Sequence, residues 1–283
     1  MQINKLLSVL MLALSVPAYS QSMTLDQWER TIIEPQLYGG RPVAQGELPH
    51  VFWLGFCTAT LVSNNVVITA AHCVSTGQRI SFKTLSGASV AGVCTQHPRY
   101  DDNGMTNNDF ALCKLSTELK DIVKASISTE TVVAGQRVVM NGYGRPNITV
   151  LHVGESVIRS VGNQDYTTRT AVALGGGDSG GSLFKGPIAD LKKGPFVVVG
   201  INSRREVGGE TSYFNITGLQ RSVDFFKSYA TKENVQLCGI NATCGTIVPP
   251  EIPARCLGDV EMVKYFEAEL GMAKNALNAC IAN

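Results

Sequence analysis

The sequence reads as an all-β protein, two antiparallel β-barrels closed by a C-terminal helix. Three observations lead there. Short runs rich in β-branched and aromatic residues recur between turn signals, which indicates a barrel or a sandwich. The second half of the chain repeats the texture of the first, which suits two units of similar size. Only past residue 218 do the apolar residues take up helical spacing.

The chain opens with a leader. Lys5 supplies a positive start, Leu6 to Val16 an apolar core and Ala18-Tyr19-Ser20 a small-x-small cleavage site, so residues 1–20 read as a secretory signal. Its apolar run is too short to span a bilayer, and no cysteine follows it to carry a lipid anchor. Residues 21–36 are polar and read as a short pro-segment ahead of Leu37-Tyr38-Gly39-Gly40. Strands follow at Val51-Phe52-Trp53-Leu54, Thr58 to Val62, Val66 to Thr69 and Phe110 to Leu115. They are separated by turn signals such as Ser63-Asn64-Asn65, Ser86-Gly87 and Asp101-Asp102-Asn103-Gly104. A second set lies at Arg137 to Met140, Thr170 to Ala173 and Phe196 to Ile201, with the boundary between barrels near residues 117–130. Leu219, Val223, Phe225, Phe226 and Tyr229 then form an amphipathic helix that ends near Ala230.

Residues 231–283 change character. They hold four of the eight cysteines, a Pro249-Pro250 break and a second helical pattern at Val263, Phe266, Leu270, Ala273, Leu277 and Cys280. This segment reads as a disulfide-pinned helical extension, with Cys238–Cys244 and Cys256–Cys280 one of three connectivities open to four cysteines.

Charge and cysteine usage exclude several functions. The chain carries 24 Lys+Arg and 23 Asp+Glu; removal of residues 1–20 takes away Lys5 and no acid, leaving a neutral balance. Nucleic acid or an anionic membrane as main partner would demand a basic face. Eight cysteines behind a secretory signal read as disulfides formed in an oxidising compartment. The protein is therefore expected outside the cytoplasm, with periplasm and medium both compatible. No Cys-x-x-Cys pair exists, and His50, His72, His97 and His152 are scattered, so neither a metal nor another cofactor is expected. Gly175, Gly177 and Gly180 match G-x-G-x-x-G literally, but no Lys follows, Asp178 would repel phosphate and Lys185-Gly186-Pro187 stops any helix.

The chemistry sits in Gly175-Gly176-Gly177-Asp178-Ser179-Gly180-Gly181-Ser182-Leu183. Here a hydroxyl lies in a loop nearly free of side chains, where a substrate carbonyl and backbone N–H groups can crowd close. A hydroxyl is a poor nucleophile near neutral pH unless a base stands beside it and a third group orients that base. Thr69-Ala70-Ala71-His72-Cys73 offers the base, and Asn107-Asn108-Asp109-Phe110-Ala111-Leu112 a carboxylate ahead of an apolar run.

Together these segments resemble the signatures of the trypsin-like (chymotrypsin-fold) serine peptidases, in that family's order of His, Asp, Ser. The likeness covers about Leu37 to Ala230, two thirds of the chain, so a peptidase domain is expected over residues 37–230 and the extension over 231–283. It implies Ser179 as nucleophile, His72 as general base and acid, and Asp109 as the group that holds the imidazole. It implies an oxyanion hole from the backbone N–H groups of Gly177 and Ser179. Cys57 and Cys73 stand at the spacing of the family disulfide, and Cys94 and Cys113 are expected in disulfides as well. His97-Pro98-Arg99-Tyr100 resembles the family segment before the aspartate, with a structural role for His97, and Gly142-Tyr143-Gly144 resembles its Gly-Trp-Gly. Ser203 matches the serine that supports the aspartate and opens the substrate-binding strand.

Departures from the family concern activation and specificity. The resemblance implies that Asp178 pairs with an amino terminus freed by precursor cleavage, here Leu37 in place of Ile or Val. Because Gln36 precedes it, the cut falls to a protease of non-tryptic preference or to autoprocessing. Ala173 stands where a Lys/Arg-selective enzyme has an aspartate, Gly175 replaces a disulfide cysteine, and Arg204-Arg205 replaces Trp-Gly. An arginine turned inward would favour an acidic residue before the scissile bond, and arginines turned to solvent a small or apolar one. The expected protein is a secreted, monomeric serine endopeptidase acting on proteins or peptides. Its rivals are a catalytically inactive homologue acting as a binding module, and a hydrolase of esters alone. Asn147-Ile148-Thr149, Asn215-Ile216-Thr217 and Asn241-Ala242-Thr243 are N-glycosylation patterns only where the source glycosylates.

Overall fold

The computed structural model describes residues 37–44, 46–101, 107–144, 148–192, 194–206 and 211–244. The expected leader and pro-segment, turn residues 102–104, Asn147, the Pro249-Pro250 break, Cys256, Cys280 and the second helical pattern lie outside them.

The first barrel is built from β2 (Val51–Trp53), β3 (Thr58–Leu61), β4 (Val66–Thr69), β5 (Arg79–Lys83), β6 (Ser89–Gln96) and β7 (Ala111–Leu115), closed in the order β2-β3-β4-β7-β6-β5. All neighbours are antiparallel. β3 and β4 are buried along their whole length rather than on alternate residues. The cause is cover on both faces: Ala59 and Leu61 fill the barrel core, while Thr60 on the other face accepts a hydrogen bond from Ser182 Oγ at 2.7 Å. Cys94 and Cys113 are paired register partners of β6 and β7 and are joined as a disulfide.

The second barrel contains β9 (Arg137–Gly142), β10 (His152–Val161), β11 (Asp165–Arg169), β12 (Ser182–Lys185), β13 (Val197–Arg205) and β14 (Thr211–Ile216). They run β10-β11-β14-β13-β12-β9, and the pairing of β9 with β10 closes the ring. β1 (Arg41–Pro42) lies against β10, and β8 (Ser126–Ile127) runs parallel to β13. The chain thus has two closed six-stranded antiparallel barrels.

Two strands differ from their sequence reading. Thr170 to Ala173 is no strand: Thr170 Oγ1 binds both the N–H and the carbonyl of Val172, at 3.2 and 3.1 Å. That local competition takes the backbone groups a ladder needs, and only Ala173 pairs, with Tyr38. β13 runs past Ile201 to Arg205, which carries Ser203, Arg204 and Arg205 on a strand.

Helix α1 (Gln220–Glu233) ends at Asn234, whose left-handed backbone (φ 50°) lets its N–H reach the carbonyls of Ala230 and Thr231. It buries Val223, Phe225, Phe226 and Tyr229. Phe226 meets Phe110 edge-on at 5.5 Å, so the helix packs directly behind the residue next to Asp109. Burial of one such ring is worth about 1.5–3 kcal/mol. Beyond it, Cys238 and Cys244 form a disulfide, and Asn241 ties that loop by bonds to Leu237 N and Val235 O. No helix among the described residues is long and apolar enough to cross a membrane.

Candidate active site

β4 ends at Thr69, and a 3-10 turn over Ala71–Cys73 carries His72 to the edge of the first barrel. The Cys57–Cys73 disulfide fixes that turn: both sulfurs and a ring nitrogen of His72 lie within 4.8 Å of one another. Being oxidised, these sulfurs offer no thiolate to a metal.

Asp109 is wholly buried two residues ahead of β7. Its Oδ2 accepts from His72 Nδ1 at 2.7 Å and from Ser203 Oγ at 2.7 Å, and its Oδ1 accepts from His72 N at 2.9 Å. Its own N–H is held by Asn215 Oδ1 at 3.1 Å. A desolvated carboxylate needs such donors. The arrangement puts the imidazole proton on Nδ1 and leaves Nε2 as the acceptor that faces outward. The side chain of His72 is about a quarter exposed, as a group that meets a substrate must be.

Ser179 lies on the loop between β11 and β12, with its carbonyl 3.8 Å from the sulfur of Cys73, the residue after His72. Its carbonyl accepts from Thr58 N at 2.8 Å, and the next residue, Gly180 (φ +81°), packs so tightly that a Cβ there would strike Thr69 Oγ1, Thr58 O and Ala70 N. Gly177 has φ +111° and no space for a Cβ, which would stand 2.7 Å from Tyr143 O. Thr58 Oγ1 donates to Gly177 O at 2.9 Å and accepts from Tyr143 N at 3.0 Å. With their carbonyls so held, the N–H groups of Gly177 and Ser179 donate to no other group among the described residues. Asn202 clamps the base of the loop through Nδ2 to Asp178 O and Asn141 O, at 2.9 and 2.8 Å.

Beside Ser179 lies a cavity of about 180 Å³, bounded by Leu174, Gly175 and Gly176 on one side and by Ser203, Arg204 and Arg205 on the other. Ala173 bonds through its N–H to Tyr38 O at 2.9 Å. Arg204 lies over the Tyr213 ring at 4.2 Å and reaches Asp165 at 3.7 Å. Arg205 lies over the Tyr38 ring at 4.3 Å. Both arginines are half-buried.

Asp178 points away from Ser179 into the second barrel. Its carboxylate accepts from Gly144 N at 2.8 Å and Gly175 N at 2.7 Å. Burial nevertheless pushes its pKa up to about 7, with those N–H groups and Arg205 only partly opposing. Leu37 is wholly buried with φ 42°. His97 takes a structural position, accepting from Arg99 N at 3.1 Å and lying 4.9 Å from the Phe225 ring.

The structure therefore brings His72, Asp109, Ser179 and Ser203 to one place and sets Asp178 behind them. Sequence reading missed Thr58, Asn202 and Asn215. No short motif links them to the site; Asn215 stood out only as a glycosylation pattern, and its burial beside Asp109 removes it as an acceptor in the folded chain.

Residues 37–225 match the trypsin family. The chain is 31% identical over 131 residues to serine protease SP24D of Anopheles gambiae, over 39% of this chain and 47% of that one. It therefore spans about half the length of that relative. With trypsin alpha of Drosophila melanogaster it shares 28% identity over 209 residues, 61% of this chain and 75% of that one. Among solved structures, a Glu endopeptidase in complex with MPD superposes with a TM-score of 0.59, covering 68% of this chain and 96% of that one. At 16% identity that likeness is one of fold.

Proposed function

The chain belongs to the trypsin family, and from that premise we propose that it is a secreted serine endopeptidase, made as a precursor and acting on proteins or peptides. The observation that carries this reading is the contact of His72 Nδ1 with the buried Asp109 carboxylate at 2.7 Å, next to a cavity that Ser179 lines. Ser179 Oγ attacks the scissile carbonyl while His72 Nε2 takes its proton. Asp109 stays ionised, keeps the proton on Nδ1 and stabilises the imidazolium. The N–H groups of Gly177 and Ser179 receive the oxyanion, each worth about 3 kcal/mol of transition-state stabilisation. The imidazolium then protonates the leaving amine, and water, activated by the same histidine, releases the acyl group.

In this reading residues 1–20 are the signal, 21–36 the pro-segment, 37–230 the peptidase domain and 231–283 an extension. Cleavage between Gln36 and Leu37 frees an ammonium that pairs with Asp178. The disulfides Cys57–Cys73, Cys94–Cys113 and Cys238–Cys244 agree with an oxidising destination.

A fluorophosphonate probe on protein that starts at Leu37 tests the reading. Stoichiometric labelling that disappears in Ser179→Ala is the expected result. A correctly processed, folded chain that takes no label would instead be a binding homologue.

A further inference from the structure

Among the described residues, the cavity beside Ser179 has two cations and no anion on its wall, and the two cations are not equivalent. Arg204 is engaged, with its guanidinium 3.7 Å from the Asp165 carboxylate and stacked on Tyr213. Arg205 has a ring beneath it and, among the described residues, no carboxylate. Its guanidinium lies 4.3 Å from the centre of the Tyr38 ring and has no ion pair or hydrogen bond among the described residues. The nearest acid that feels it, Asp178, is fully buried and spends its oxygens on the N–H groups of Gly144 and Gly175. The stacking leaves the guanidinium edge, where all five N–H donors lie, without an acceptor among the described residues.

Arg205 lines the cavity beside the nucleophile. Tyr38 is bonded to Ala173, the residue before Leu174 on the cavity wall. The stack on Tyr38 holds Arg205, which lines the cavity together with Ser203 and Ser179. Ala173 itself brings no charge to the site. A space of about 180 Å³ next to the nucleophile has room for one side chain. A carboxylate there would meet a planar fork that matches it in geometry and charge. An apolar side chain would leave the half-buried cation unneutralised, and a basic one would meet repulsion from Arg205 and Arg204 together.

We propose that Arg205 is the specificity-determining residue and that it selects an acidic side chain at the residue whose carbonyl Ser179 attacks. This rests on the reading of Ser179 as nucleophile and adds the substrate class to it. Arg204 is already engaged by Asp165 and Tyr213 and leaves that carboxylate to Arg205.

The experiment uses processed full-length protein and five peptide substrates alike except for Glu, Gln, Ala, Leu or Arg before the scissile bond. Enzyme concentration is set by fluorophosphonate titration, which does not depend on that side chain. The expected kcat/KM for Glu exceeds that for Gln by about 100-fold, the difference a charge-assisted pair makes against its neutral isostere. Arg205→Gln brings the Glu/Gln ratio close to one, and Arg205→Lys keeps an intermediate ratio because the charge stays while the fork is lost. A protein that titrates fully yet prefers Ala, Leu or Arg overturns the proposal and leaves the peptidase reading standing. So does an unchanged Glu/Gln ratio in Arg205→Gln. Absence of titration removes the peptidase reading and the proposal with it.

Discussion

Asp178 offers a prediction that can be worked from the structure to a number. In the intact chain Leu37 is joined to Gln36 and carries no ammonium, so the buried Asp178 carboxyl has two N–H donors and only the field of Arg205 to set against its burial, and its pKa stands near 7 against an ordinary 3.8. A carboxyl whose pKa is raised by folding binds its proton more tightly in the folded state. Its contribution is therefore complete below about pH 4 and is lost as pH rises through 7. The distance from 3.8 to about 7, at about 1.4 kcal/mol per pH unit, makes that loss on the order of 4 kcal/mol. Asp178→Asn cannot ionise and escapes it. The assay is urea unfolding at pH 4, 5.5 and 7.5 of the precursor carrying Ser179→Ala, which blocks self-cleavage, with and without Asp178→Asn. Relative to its parent, the double variant should gain several kcal/mol between pH 4 and 7.5. In protein cut before Leu37, where an ammonium can pair with the carboxylate, the sign should reverse. Parallel pH profiles for the two precursors would refute the argument.

Two further outcomes follow from other residues. His50 is wholly buried between Phe184 and Phe196, with ring centroids at 5.7 and 4.3 Å, and its pKa is pushed down from 6.5 to about 3 by desolvation. A histidine kept neutral by folding adds stability above pH 6.5 that is lost as pH falls toward 3, so His50→Leu should flatten the acid limb of a melting-temperature profile by an amount on the order of 5 kcal/mol at pH 3; an acid limb that does not move would contradict this. Gly180→Ala adds a Cβ at φ +81° against Thr69 Oγ1 and Thr58 O and should cost about 2–4 kcal/mol together with probe labelling of Ser179, whereas wild-type stability and labelling would mean that the loop has room the structure does not show.

How much was legible in the sequence depended on how local the cause was. β3, β4 and α1 were readable within a residue or a few because their apolar periodicity is continuous. Thr170 to Ala173 looked equally strand-like, and a single hydroxyl that bonds Val172 on both sides cancelled it. His72, Asp109 and Ser179 announced themselves through their neighbours in sequence. Thr58 and Asn215 did not, because their roles are contacts across 119 and 106 residues of chain that no spacing encodes.

Those long-range contacts are what make a site out of three motifs. The glycines free Ser179's loop of side chains, and freedom alone would leave its N–H groups without a fixed direction. Thr58 removes that freedom from the other barrel: its hydroxyl holds Gly177 O and Tyr143 N, its N–H holds Ser179 O, and its carbonyl accepts from Thr69 Oγ1 just ahead of His72. One β3 residue thus references both the nucleophile loop and the histidine turn to the same strand. Ser203 and Asn215 do the same for Asp109 from β13 and β14. Ser179 and Asp109 are therefore each held by the barrel they do not belong to, and the two barrels must dock before the hydroxyl, the imidazole and the carboxylate can act as one unit.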